Sequence, residues 1–152
     1  MNDAEYEQQK ARVQAVFERW VKPIGLGWWQ IDVFWHRDER YGDDVRYAGT
    51  PRACAAQCYA DWEYMTASIE IYLPVIAQLD DEALEYAILH ELAHVFLSEM
   101  RPNEDVRTQA DAKHEERVAT TLAKALIWAR KTGYDEGLAA QPERALAEAL
   151  DV

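Results

Sequence analysis

The hydrophobic period of this chain changes near residue 80, and that change limits the folds open to it. Residues 66–73 (TASIEIYL) alternate, with Ala67, Ile69, Ile71 and Leu73 on one face and Thr66, Ser68, Glu70 and Tyr72 on the other. A period of two describes a strand. The polar second face reads as an edge position, and Pro74 closes the run. From Asp80 the apolar residues Leu84, Ala87, Ile88, Leu92, Val95 and Phe96 recur at spacings of three and four, which describes a helix. Acidic residues suit its first turn.

The rest of the chain follows the same division. Asp3 is placed to cap a first helix carrying Val13, Val16, Phe17 and Trp20, stopped by Pro23, Gly25 and Gly27. A strand follows in WWQIDVFWH, where Ile31, Val33 and Trp35 alternate with Gln30, Asp32 and Phe34. Residues 52–60 (RACAAQCYA) are small and apolar, as in a central strand. After the break at Arg101-Pro102, the Thr108-to-Asp111 spacing matches a capping box. It opens a helix through Val118, Ala119, Leu122, Ala123, Leu126 and Ile127 that stops at Gly133. Residues 138–152 read as a short C-terminal helix or tail. The order is helix, three strands, then two or three helices. It predicts an α+β domain, 1–152 with its core over about 5–132, in which helices pack on one face of a small mixed or antiparallel sheet.

Composition narrows the partners. Twenty-eight acidic against sixteen basic side chains give a formal charge of −12. Such a chain repels phosphate backbones, so no nucleic-acid partner is expected. No apolar leader and no run of membrane-spanning length is seen, which points to the cytoplasm and to no membrane partner. Cys54 and Cys58 make no disulfide framework and read as small buried residues. Trp28, Trp29, Phe34 and Trp35 read as packing between the first helix and the sheet. His36 reads as surface.

The apolar helix carries H90-E91-L92-A93-H94. Residues four apart project from one helix face, so His90 and His94 are spaced to share one Zn²⁺. Glu91 stands beside them, where a carboxylate can take a proton from a zinc-activated water. The flanking Ile88, Leu89, Leu92 and Val95 would bury this helix, and buried polar groups are costly unless satisfied. A catalytic zinc site needs a third protein ligand. His114, Glu115 and Glu116 are the candidates. A histidine-rich continuation of the motif would need Gly at 97 and His at 100, where this chain has Leu97 and Met100. Small Ala119 and Ala123, three and seven residues after Glu116, leave room for close helix packing. Glu115 would place bulky Leu122 there, so packing favours Glu116, with Glu115 and His114 as alternatives. Thr120 is spaced to hydrogen-bond a ligand from behind.

The pattern H90-E-L-A-H94 followed by E116-x-x-A-x-x-L-A resembles the gluzincin metallopeptidases in their minimal form, and is similar to compact ImmA/IrrE-type and small phage-encoded peptidases. The resemblance covers about residues 5–130, with the specific motifs confined to the two helices. It implies a zincin-like fold and zinc as cofactor, bound by His90, His94 and Glu116, with Glu91 as general base. It implies hydrolysis of peptide bonds in a protein substrate, held in extended form against an edge strand. The matching segment is Ala67–Leu73, with Ala67, Ile69 and Ile71 as contact residues. It also suggests a phage or mobile-element setting. Two departures stand out. Thr120 replaces the common Asn, and no oxyanion-stabilising residue is evident beyond Tyr72, Tyr134 and His114. The alternative is therefore a weak or inactive zinc-stapled binding module.

Overall fold

The computed structural model describes residues 1–41, 53–101 and 106–134. Within them the chain is α+β, with four helices and a small three-stranded mixed sheet. Helix α1 spans Asp3–Trp20 and is capped by Asn2. The Asn2 side chain accepts from the Glu5 backbone and Glu5 returns the bond, so the cap lies one residue before Asp3. Strand β1 (Gln30–His36) follows. The short strands β2 (Arg40–Tyr41) and β3 (Ala53–Cys54) pair with each other apart from the main sheet. Strands β4 (Ala56–Asp61) and β5 (Thr66–Tyr72) form a hairpin. A single turn, α2 (Leu73–Ile76), has Pro74 at its start, where its missing N–H costs nothing.

The sheet order is β1-β5-β4, with β1 parallel and β4 antiparallel to β5. This corrects two expectations. The segment Ala67–Leu73 is not an edge. Strand β5 is central, Leu73 already belongs to α2, and Ala67, Ile69 and Ile71 are buried in the core. They therefore cannot meet a substrate. Residues 52–60, read as central, supply the edge strand β4. The polar face of β5 was the misleading signal. It reflects a sheet face that no helix covers among the described residues, not a free strand edge. On that outer face lie Asp32, Phe34, Ser68, Glu70 and Tyr59.

Helix α3 (Asp81–Leu97) begins at Asp80, whose side chain caps the Ala83 N–H, and ends in a 3-10 turn, Ser98–Met100. Helix α4 (Gln109–Ala129) opens with the Thr108–Asp111 capping box and runs into a π turn, Arg130–Tyr134. Gly133 adopts φ 101° there, a left-handed conformation in which a side chain would be strained. The core lies between the inner sheet face and the helices, where Val13, Trp20, Ile69, Ile71, Leu84, Ile88, Leu92 and Ile127 pack. Trp29 and Trp35 pack against it as expected, whereas Trp28 and Phe34 are exposed. The expected C-terminal helix, 138–152, lies outside the described residues, as does the side chain of Tyr134. No helix among the described residues is long and apolar enough to cross a membrane.

Buried Glu85 ties three helices together. It accepts hydrogen bonds from Trp20 Nε1 at 2.8 Å, Arg19 at 3.0 Å and Arg130 at 2.6 Å. Burial disfavours its charge, but these three donors outweigh that and hold its pKa below the usual range.

Candidate metal centre

Helix α3 presents His90 and His94 on one face, and α4 brings Glu116 against them. The Nε2 atoms of the two histidines are 3.1 Å apart. His90 Nε2 lies 3.3 Å from one Glu116 oxygen and His94 Nε2 lies 3.4 Å from the other. For a tetrahedral Zn²⁺ with bonds of about 2.0–2.1 Å, neighbouring donors are separated by about 3.3–3.4 Å. The two histidines meet different Glu116 oxygens, and one donor atom from each of the three side chains lies within 4.8 Å of the others, close enough for the three to converge on one ion. Among the described residues no other trio of this kind occurs. Glu116 is 54% exposed, so the cluster opens to solvent on its side.

The helix pair can close this far because Ala119 and Ala123 are completely buried between the packed elements. A larger side chain at either position would hold α4 away from α3. Small side chains at these positions let Glu116 lie against the two histidines.

Glu115 and His114 have other places. Glu115 Oε1 lies 2.7 Å from His94 Nδ1, on the side of the ring away from Glu116. Arg101 grips the Glu115 carboxylate through Nε at 2.9 and 3.0 Å and a terminal nitrogen at 2.7 Å, and Arg107 adds a contact at 2.8 Å. A carboxylate behind a metal-ligating histidine orients the ring and leaves Nε2 to face the ion. His114 is exposed on α4 and lies 3.5 Å from Arg117, outside the trio. Neither arginine was singled out from the sequence, where Arg101 appeared only as a helix break.

Electrostatics follow from these contacts. Burial opposes a charge on His94, but its bonds to Glu115 and Glu116 prevail and lift its pKa to about 9 in the metal-free protein. Burial likewise works against an ionised Glu115, yet His94 and Arg101 hold it down at about 2. Hydrogen bonds to His90 and His94 place Glu116 far below the usual carboxylate range. Glu91 differs. Burial pushes it up to about 7, against the pull of His90 and His94, while Glu116 adds to the rise. It accepts a hydrogen bond from the backbone N–H of Cys58 on β4.

That bond locates the open side of β4. Ala55 accepts from the Tyr72 N–H, so alternate residues from Ala55 onward point their backbone groups at β5. Ala56, Cys58 and Ala60 then direct theirs outward. Burial and the nearby Glu91 raise the Cys58 thiol to about 12, so it stays protonated in the metal-free protein. Cys54 and Cys58 lie on separate strands and form no disulfide.

Thr120 accepts a hydrogen bond from the Tyr86 hydroxyl at 3.4 Å, and the Tyr86 ring lies 6.0 Å from that of His90. The expected bond from Thr120 to a ligand is replaced by this packing contact, and His90 Nδ1 is buried without a protein partner. Tyr72 bonds Glu70 at 2.6 Å and stacks on His36, on the outer sheet face and away from the trio. Compared with known protein families, curated proteins and solved structures, the chain matches none.

Proposed function

We propose that this chain is a minimal gluzincin-like zinc metallopeptidase with a zincin-like fold. The observation that carries this reading is the grouping of His90, His94 and Glu116, with one donor atom from each within 4.8 Å of the others, beside a buried Glu91. His90, His94 and Glu116 would hold the ion. Bound there, zinc supplies a Lewis acid and acidifies water.

The chain's own residues account for the remainder. Glu91, with its affinity for protons raised toward neutrality, is suited to take a proton from the attacking water and deliver it to the leaving amine. Glu115 holds His94 in the tautomer that keeps Nε2 toward the ion. Arg101 and Arg107 hold Glu115. The substrate is an extended segment of another protein, laid along the outward edge of β4 beside Cys58 and Ala60, where Glu91 already holds the Cys58 N–H and Cys54 Sγ already donates to the Ala56 carbonyl. A peptide laid there would pass Glu91, whose carboxylate already contacts Cys58 N–H. The substrate edge assigned to Ala67, Ile69 and Ile71 thus moves to β4.

Elemental analysis of protein purified without added metal tests this reading, alongside His94→Ala and Glu116→Ala. About one zinc per chain is expected, lost in both variants. Glu91→Gln should keep the zinc and lose about 10²–10⁴-fold in peptide-library cleavage. A wild type that takes up no zinc even on reconstitution overturns the proposal. Zinc without cleavage leaves the binding module.

A further inference from the structure

A cavity of about 690 Å³ adjoins the outer sheet face at the Asp61 end of β4. Three aromatic rings line it and remain in water. Phe34 is 52% exposed, Tyr59 50% and Trp62 46%. In the sheet register Asp32, Ser68 and Tyr59 form one row across the strands, and Asp61 and Thr66 belong to the next. A cavity of this size, walled by exposed rings and a few polar groups, has the character of a binding place.

Its free charge is negative. Asp32, Asp61 and Glu63 line it, and among the described residues none of them is ion-paired. Asp32 accepts from the Gln30 amide at 3.4 Å and Asp61 from the Glu63 N–H at 3.1 Å, both neutral donors. Arg101 and Arg107 also line the cavity, but both are already paired to Glu115. A cation is the complementary occupant. Carboxylates attract it, ring faces bind it, and the stem of a long basic side chain packs on the rings. The cavity is continuous with the proposed substrate edge. Ala60 lines it and lies two residues, or about 7 Å, along β4 from Cys58, whose N–H is held by Glu91. Side chains of an extended segment alternate, so every second one shares the face of Tyr59 and Asp61.

We propose that the substrate segment carries a lysine or arginine within about three residues of the cleaved bond, and that this side chain enters the cavity between the rings and the three carboxylates. The proposal rests on the peptidase reading and specifies its substrate class. A second copy of the chain is the less fitting occupant, since two bodies of charge −12 repel each other.

Binding to zinc-loaded Glu91→Gln protein, read by fluorescence anisotropy at low salt, tests it. The probes are short labelled peptides that differ only in carrying lysine or uncharged norleucine at one scanned position. At one or two positions lysine should bind about five- to thirtyfold tighter, as expected of an exposed cation–π contact with one or two charge pairs. Asp61→Asn with Glu63→Gln should remove most of that preference, and added salt should shrink it. Asp32→Lys with Asp61→Lys should turn the preference toward glutamate, which a damaged fold would not do. Equal binding, or none, at every position overturns the proposal. So does a lysine preference that survives the double lysine substitution, which would place the cation elsewhere. A dimer dissolved by Trp62→Glu would give the face to a second copy and also overturn it. Zinc content and cleavage by the wild type keep the two readings apart. A zinc-bearing wild type that cleaves lysine and norleucine peptides alike sinks this inference and leaves the peptidase. A wild type that takes up no zinc and cleaves nothing sinks the peptidase, and with it the substrate role given to the cation here.

Discussion

Replacing Glu115 with glutamine isolates what the residue behind His94 contributes. In wild type, His94 Nδ1 faces a carboxylate oxygen at 2.7 Å. A hydrogen bond to an ionised group contributes about 1.5–3 kcal/mol, a neutral one about 0.5–1.5 kcal/mol. The change to an amide therefore weakens the hold on His94 by about 1–2 kcal/mol, or about 5- to 30-fold in zinc affinity. The surroundings push toward the upper end. Glu115 is 10% exposed, and Arg101 donates to both of its oxygens. An amide can offer only one oxygen to these donors, so its nitrogen would face a guanidinium. Competition between the protein and a chelating zinc indicator reads the affinity directly. Glu116→Gln, which alters a proposed ligand itself, should lose more than Glu115→Gln. An affinity for Glu115→Gln within about twofold of wild type would refute the argument that this carboxylate orients His94. A loss larger than that of Glu116→Gln would exchange the two roles.

Three further outcomes are expected. Burial raises Glu91 from 4.5 to about 7, so its contribution to stability is full below about 4.5 and lost as pH rises through about 7. The metal-free Glu91→Gln protein should therefore melt above wild type at pH 8 and level with it near pH 4.5, and equal melting at both values would contradict the burial argument. His94 rises from 6.5 to about 9, so its contribution is full below about 6.5 and fades as pH climbs through about 9. Zinc must displace that proton, and calorimetric titration at pH 7.5 in two buffers of different ionisation heat should show about one proton released from this residue per ion; no release would count against a protonated His94. Glu85→Ala should cost about 2–4 kcal/mol in denaturant unfolding, below the value for a fully buried ion pair because Arg19 is half exposed. A loss under about 0.5 kcal/mol would show that Glu85 holds nothing together.

Much of the architecture was legible from local sequence because local forces decide it. Asp80 and the Thr108–Asp111 box start helices whose first N–H groups need acceptors, and both caps are present. Four-residue spacing alone puts His90 and His94 on one face. The preference for Glu116 also rested on a local fact, since small Ala119 and Ala123 permit close approach and both are buried. What depended on partners distant in sequence was not legible. Strand alternation tells which face is apolar but not which neighbours pair, so β5 was read as an edge and β4 as central. The wet face of β5 results from an uncovered sheet surface, which is a property of the assembled layers. Glu115 looks in sequence like a rival ligand. Only the packing of α4 on α3 turns it to the far side of His94, and only the return of the chain through Arg101 and Arg107 supplies two cations to hold it there. The sequence by itself determined the elements and the shared face of His90 and His94; the tertiary structure decided strand order, the open edge and the partners behind His94. The reason is that helix periodicity and capping act over a few residues, whereas pairing and charge placement are settled between residues tens of positions apart.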